Sequence, residues 1–319
     1  MTDMIVAVLV EHRGNEIAQP TFEALTLARS IGRPVAVWMG EEPPADAVTA
    51  LGEFGAEEVR VLAIGERARH PKTASVVLAA ATGDAALVLV VSTFLNKEIA
   101  THLALANGAG VVVDASGAAL VDGRIEAQQT VFAATWNVRT RINGDRAIVA
   151  VRPNTTQATP ADAAGAAEVV GVLAALPELR ETIVSVTPVT REGGVPLSQA
   201  AVVVAGGRGT SGDYTLVREL ADVLRGAVGA SRDATDEGWI SHEHMVGQTG
   251  VTVTPVLYVA CGISGAVHHR GGMQASGTIV AVNIDPDAPI FEIADFGVVG
   301  DLHDVLPQAI ETLRAHRQG

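Results

Sequence analysis

The sequence predicts an α/β protein of two domains, each a mainly parallel sheet flanked by helices, the first with an antiparallel extension. Three observations predict it. Short apolar runs alternate with helical-period runs from Met4 to about Ala115. The period then switches to two, with turn pairs at Asp122-Gly123 and Asn143-Gly144. The strand and helix alternation restarts near Ala200. A chain of 319 residues is long enough for two ordinary domains. Its 48% hydrophobic content with only 3% aromatic residues suits close packing of small apolar side chains.

The elements follow in order. "MIVAVLVE" is a buried strand, and "PTFEALTLARSIG" a helix opened by Pro20 and closed by Gly32. "PVAVWMG" is the second strand, "PADAVTALGEFG" a short helix and "EEVRVLAI" the third strand. "PKTASVVLAAATG" (helix), "ALVLVVS" (strand), "NKEIATHLALANG" (helix) and "GVVVDA" (strand) complete the first alternation. Apolar strands in such a series require cover on both faces, hence a parallel sheet. From Ser116 to Pro153 the chain reads as a run of hairpin strands. "NTTQATPADAAGAAE" is a polar, alanine-rich loop or short helix, "ETIVSVTPV" a further strand, and "TREGGVPLSQA" a linker. The domains are therefore expected at 1–196 and 197–319. In the second, "AAVVVAGGRG" is a strand ending in glycines and "DYTLVRELADVLRGA" a helix stopping at Gly226. "AVGA" leads to Ser231, "VLYVA" and "TIVAVNIDP" are strands, and "DLHDVLPQAIETLRAH" is the last helix.

Composition excludes several classes. With 22 Lys and Arg against 36 Asp and Glu, the net charge is −14, which opposes a nucleic-acid binder. Any bound phosphate must be held by local amides and a few placed cations. The single cysteine, Cys261, allows no disulfide framework or thiolate cluster and fits a reducing, cytoplasmic compartment. "MTDMIVAVLVEHRGN" reads as a first strand rather than a signal peptide. No apolar run reaches the roughly 20 residues that span a bilayer, so the protein is not expected to be membrane-embedded.

In an open parallel sheet, ligands bind beyond the carboxyl ends of the strands. The loops there carry Gly206-Gly207-Arg208-Gly209, Gly229-Ala230-Ser231-Arg232, Val246 to Gly250, Gly262 to His269, Asn283 and Asp301. They offer glycine amides, two arginines, hydroxyls and an imidazole, with no pair of carboxylates and no metal cage. The Gly-Ile-Ser-Gly turn before a helix leaves backbone N–H groups that favour a phosphate or pyrophosphate. A tight turn with a serine N-cap explains the same stretch equally well.

Taken together, "GGRG", "VGASR", "VGQTG", "P.LY.A.GISGA..H..GM", "IVA.N.DP.APIF..AD.G" and a following Asp-Leu resemble the electron transfer flavoprotein α-subunit family, also called the FixB type. Six motifs stand in the family's order between Val202 and Leu306. The resemblance implies an electron carrier rather than a stand-alone enzyme, with one FAD on this chain. It implies a heterodimer with a β subunit that holds AMP or a second FAD. The expected donors are acyl-CoA or other dehydrogenases of the fatty acid β-oxidation kind, and the acceptor a membrane quinone oxidoreductase. It places Arg208, Ser231, Val246, Gly247, Gln248, Thr249, Val267, His268 and Leu302 against FAD. Ser264, Gly265 and Ala266 would cradle the pyrophosphate, and Asn283 and Asp301 would face the adenosine half. Arg232 would lie over the ring, Thr249 near N5 with Gln248 beside it, and His269 at the C2 carbonyl. His268 stands where the family has Gln, and the loop after Gly209 is slightly short.

The bland readings are ordinary surface cations for Arg208 and Arg232, solvated loop histidines for His242 and His244, turn chemistry for Asp285, Asp287 and Asp295, and a buried inert thiol for Cys261. Two rivals to an electron carrier remain. A nicotinamide or thiamine enzyme would need a general base or metal-binding carboxylates in the cleft. An adenine-nucleotide module would leave Arg232, Thr249 and His269 without a role.

Overall fold

The computed structural model describes residues 4–65, 70–132, 134–162, 165–178, 184–185 and 195–318. The chain divides into two compact units, Met1–Gln129 with Asn137–Thr187, and Thr130–Trp136 with Pro188–Gly319. The first unit opens with β1 (Ile5–Leu9), a small hairpin β2 (His12–Arg13) and β3 (Glu16–Ile17), and α1 (Gln19–Ile31). β4 (Arg33–Met39), α2 (Ala45–Glu53), β5 (Glu58–Leu62), α3 (Pro71–Ala81), β6 (Leu87–Val91) and α4 (Phe94–Asn107) continue the alternation. β7 (Gly110–Val121), β8 (Arg124–Val131), β9 (Trp136–Arg141), β10 (Ala147–Val151) and β11 (Glu168–Gly171) close it.

These strands form a nine-stranded sheet in the order β11-β5-β4-β1-β6-β10-β7-β8-β9. Alternate residues of β1 serve opposite faces, as period two requires. Val6 and Val8 pack with α1 and α2 residues such as Leu25 and Leu51. Ala7 and Leu9 pack with α3 and α4 residues such as Leu78 and Leu103. Both faces are thus covered, which is why the central strands are apolar throughout. α4 starts where the Thr93 hydroxyl accepts the Asn96 N–H, and stops at Gly108, whose φ of +62° suits glycine.

The hairpin reading of 116–153 holds for β7 and β8, which pair antiparallel. It fails for β10, which lies parallel between β6 and β7. The physical reason is burial: all five residues of "AIVAV" are buried, which a one-sided hairpin strand does not provide. β11, an edge strand on β5, was not foreseen, nor was the small hairpin of β2 and β3. Most of the expected strand 181–189 and the first part of the expected linker lie outside the described residues.

The second unit contains β12 (Val202–Gly206), α5 (Thr215–Leu224), β13 (Ala227–Ala230), α6 (Arg232–Asp236) and β14 (Leu257–Cys261). α7 (Val267–Met273), β15 (Thr278–Asn283), β16 (Phe296–Val299) and α8 (Leu302–Gln318) follow. Its five strands are all parallel, in the order β13-β12-β14-β15-β16. One face packs on α5 and α8 through Leu220, Leu306 and Ile310. The other packs on loops and α7 through Val246, Ile263 and Met273. β16 and the single-turn α6 are too short to show a period in sequence. No helix among the described residues is long and apolar enough to cross a membrane.

Candidate functional site

Strand order positions the site. From β12 the chain steps outward to β13 and then returns to β14 on the other side, so the order reverses between β12 and β14. Crossovers there leave a crevice at the carboxyl ends. The two loops are stitched across it: Gly207 N–H donates to Cys261 O at 2.9 Å, and Gly209 N–H to Gly262 O at 3.0 Å. Gly262 has φ +63°, and a Cβ there would stand 2.7 Å from Gly209 Cα, so only glycine permits this approach. The crevice opens into a cleft of about 890 Å³, the upper range for a site that holds a small organic ligand.

The structure brings most of the sequence-predicted residues onto this cleft. Arg208 opens the short turn after β12, Ser231 caps α6, and Arg232 begins it. Val246, Gly247 and Thr249 line it from the loop before β14, Ser264 and Ala266 from the loop after it, and His268 and His269 from the start of α7. Asn283, Asp301 and Leu302 close the far end. Three predicted residues do not line it. Gln248 turns onto α7, where its Oε1 lies 3.0 Å from His268 Nδ1. Gly265, at φ +86°, backs onto Ile290 so tightly that a Cβ would strike backbone. Val267 is the first residue of α7 and is exposed.

Several predicted residues are occupied in ways sequence did not show. The Asn283 amide donates to Ile263 O at 2.9 Å and accepts from Asp285 N–H at 3.0 Å, so it fixes two turns of the cleft wall. Asp301 Oδ1 accepts His303 N–H at 2.9 Å and so caps α8. The serine N-cap reading fails, because α7 is preceded by Ala266, whose side chain caps nothing. Instead, the N–H groups of Ser264, Gly265 and Ala266 donate no hydrogen bond among the described residues.

The expectation of a cleft without paired carboxylates is overturned. Asp233 and Asp236 line it, and each holds an arginine: Arg208 Nε lies 3.2 Å from Asp233 and Arg232 Nε 3.1 Å from Asp236. The spacing Arg232, Asp233, Asp236 was visible in sequence, but nothing there said that α6 would face the cleft. Tyr258 was read only as a strand residue. Its buried hydroxyl lies 2.9 Å from His269 Nε2.

His269 is 6% exposed, and its Nδ1 is buried without a hydrogen-bond partner. Burial lowers its pKa from 6.5 to about 4, with a Val246 backbone group offsetting part of the effect. The imidazole is therefore neutral at pH 7, a donor or acceptor rather than a cation. The Cys261 thiol is fully buried and pushed up to about 12 by desolvation, which makes it inert. Among the described residues no group of three His, Cys, Asp or Glu side chains is placed to hold a metal. His244 instead sets Nδ1 2.8 Å from Val228 O, and Asp285 takes the Asp287 N–H in a turn. The turn reading fails for Asp295, whose Oδ2 accepts the Ile279 N–H of β15 at 2.8 Å, sixteen residues away.

A family model described as "Electron transfer flavoprotein domain" matches residues 6–177, and one described as "Electron transfer flavoprotein FAD-binding domain" matches 196–274. An electron transfer flavoprotein subunit alpha from Mycobacterium leprae is 41% identical over 97% of this chain and 98% of its own length. The chain belongs to the electron transfer flavoprotein alpha-subunit family. The subunit alpha from Bacillus subtilis is 34% identical over 97% of each chain. A protein FixB from Clostridium saccharobutylicum is 32% identical over 96% of this chain and 95% of its own. In this family member, the FAD-binding-domain match spans β12 through α7 and so takes in the loops on both sides of the order reversal.

Proposed function

We propose that the chain holds one FAD in the cleft of its second unit. In this reading it passes electrons singly, as the alpha half of a heterodimer, from acyl-CoA or other dehydrogenases to a membrane quinone oxidoreductase or another acceptor. The beta subunit would carry AMP or a second FAD. The observation that carries the proposal is the content of one 890 Å³ cleft at the strand-order reversal. Unpaired N–H groups, two arginines and a buried imidazole converge there.

The donors suit a dinucleotide. The N–H groups of Ser264 and Ala266 would meet a pyrophosphate at the cleft wall, with Gly265 holding the turn tight against Ile290 behind them, and their peptide dipoles would replace water around the charge. Asn283, Asp301 and Leu302 would shape the adenosine end. Thr249 would offer its hydroxyl near the ring, and Gln248 would steady that loop through His268, which itself lines the cleft. Arg232 would place positive charge beside the ring, and Arg208 beside the phosphates. The flavin, when bound, supplies the one-electron chemistry. His269, held by Tyr258, would present a neutral imidazole to the ring, favouring added negative charge without moving a proton.

Titration of the full chain, with and without its beta subunit, tests this through quenching of flavin fluorescence. The expected result is saturable 1:1 binding of FAD, far tighter than that of AMP, and lost in Gly265→Val, where a side chain strikes Ile290. Equal affinities for AMP and FAD would favour an adenine-nucleotide module instead.

A further inference from the structure

Both arginines of the cleft are held by carboxylates of one short helix. Arg208 Nε lies 3.2 Å from Asp233 Oδ2, and Arg232 Nε donates to Asp236 Oδ2 at 3.1 Å. The two acids stand three residues apart on α6, which sets them on one face, and both line the cleft. The Ser231 hydroxyl accepts the Ala234 N–H and fixes the turn that carries them.

Helix stability does not account for the Arg232–Asp236 pair. An arginine at the N-terminal end with an aspartate a turn later is the order that the helix dipole disfavours. Fold stability does not account for either pair, because all four side chains are 51–70% exposed, and such pairs contribute little. What the pairs fix is aim and charge. Each is made through Nε, which leaves both Nη groups of a rigid, planar fork available to another acceptor. Each carboxylate also offsets the field that its arginine presents.

We propose that Asp233 and Asp236 are positioning residues that act through Arg208 and Arg232, aiming the Nη groups into the cleft and setting the positive charge a bound flavin dinucleotide meets. The proposal rests on the FAD reading of the cleft. The cleft offers paired charges that strengthen as the ligand excludes water.

Asparagine and alanine variants separate the two effects. Asparagine keeps an oxygen for Nε but removes the charge; alanine removes both. FAD affinity at several salt concentrations, and the reduction potential of the bound flavin, are measured for Asp233→Asn, Asp236→Asn, Asp233→Ala and Asp236→Ala in the full chain with its beta subunit. Each asparagine variant is expected to bind FAD about two- to five-fold more tightly than the unaltered chain. Its affinity falls more steeply with salt and its flavin potential rises, while each alanine variant binds more weakly than the matching asparagine. Asparagine variants no tighter than the alanine variants or the unaltered chain, with the same salt slope and potential, overturn the inference while leaving FAD in the cleft. An unaltered protein that takes up no FAD overturns the FAD reading and the inference with it.

Discussion

Glu23 gives a prediction that needs no ligand. It sits on α1, 7% exposed, and its Oε2 accepts the Asn154 N–H at 2.7 Å. The loop after β10 is strapped to the same helix by Thr26 and Arg29, which bond Thr159. Burial raises the Glu23 pKa from 4.5 to about 7, and the Asn154 N–H offsets only part of that. The folded state therefore prefers the neutral acid. Its contribution is fully present below pH 4.5 and is lost as the pH rises to about 7. The gap corresponds to about 3 kcal/mol above pH 7, at 1.36 kcal/mol for each pH unit. Glu23→Gln keeps an oxygen for Asn154 and removes the charge. The variant is expected to be more stable by about 2–3 kcal/mol at pH 8.5, raising the melting temperature of the first unit by roughly 5–10 °C, and nearly neutral at pH 4.5. Calorimetric scans at pH 4.5, 6 and 8.5 measure it. An effect of the same size at all three values would refute the reasoning.

His269 carries the opposite sign. Its folded pKa lies near 4, so its contribution is present above pH 6.5 and is lost as the pH falls toward 4, to the extent of about 3 kcal/mol. In His269→Gln, the acid-side slope of stability of the second unit should flatten over that window; an unchanged slope counts against the buried neutral ring. Gly262→Ala should cost about 2–4 kcal/mol, from the left-handed backbone and the contacts with Gly209 and Leu302. A denaturation midpoint equal to that of the unaltered chain would contradict the stitched crevice. Cys261 should resist alkylation at pH 8 in the native protein and react once denaturant is added. Labelling at native conditions would mean that β14 opens.

The parallel cores were legible because buried strands such as "LVLVV" and "TIVAV" stand between helices with a clear period and marked ends, as at Pro20, Gly32 and Gly108. β10 misled for the same reason that it is buried: a run of small apolar residues fits a hairpin or a central strand equally well. β16 and α6 carry too few residues for any period. The cleft residues were legible as loops after strands, since glycine clusters and isolated arginines mark chain reversals. Their partners were not. Asp233 and Asp236 look like solvated helix residues, and Tyr258 like core, until the sheet order sets α6 and β14 beside the same crevice. The neutrality of His269 follows from burial, which a sequence does not print.

The most direct test of the account is the visible spectrum of the full chain purified with its beta subunit, recorded during stepwise one-electron reduction. A yellow heterodimer with flavin bands that change in two separate steps, the first weakened in Arg232→Ala and His269→Ala, is the predicted result. A colourless heterodimer that also rejects added FAD would contradict it.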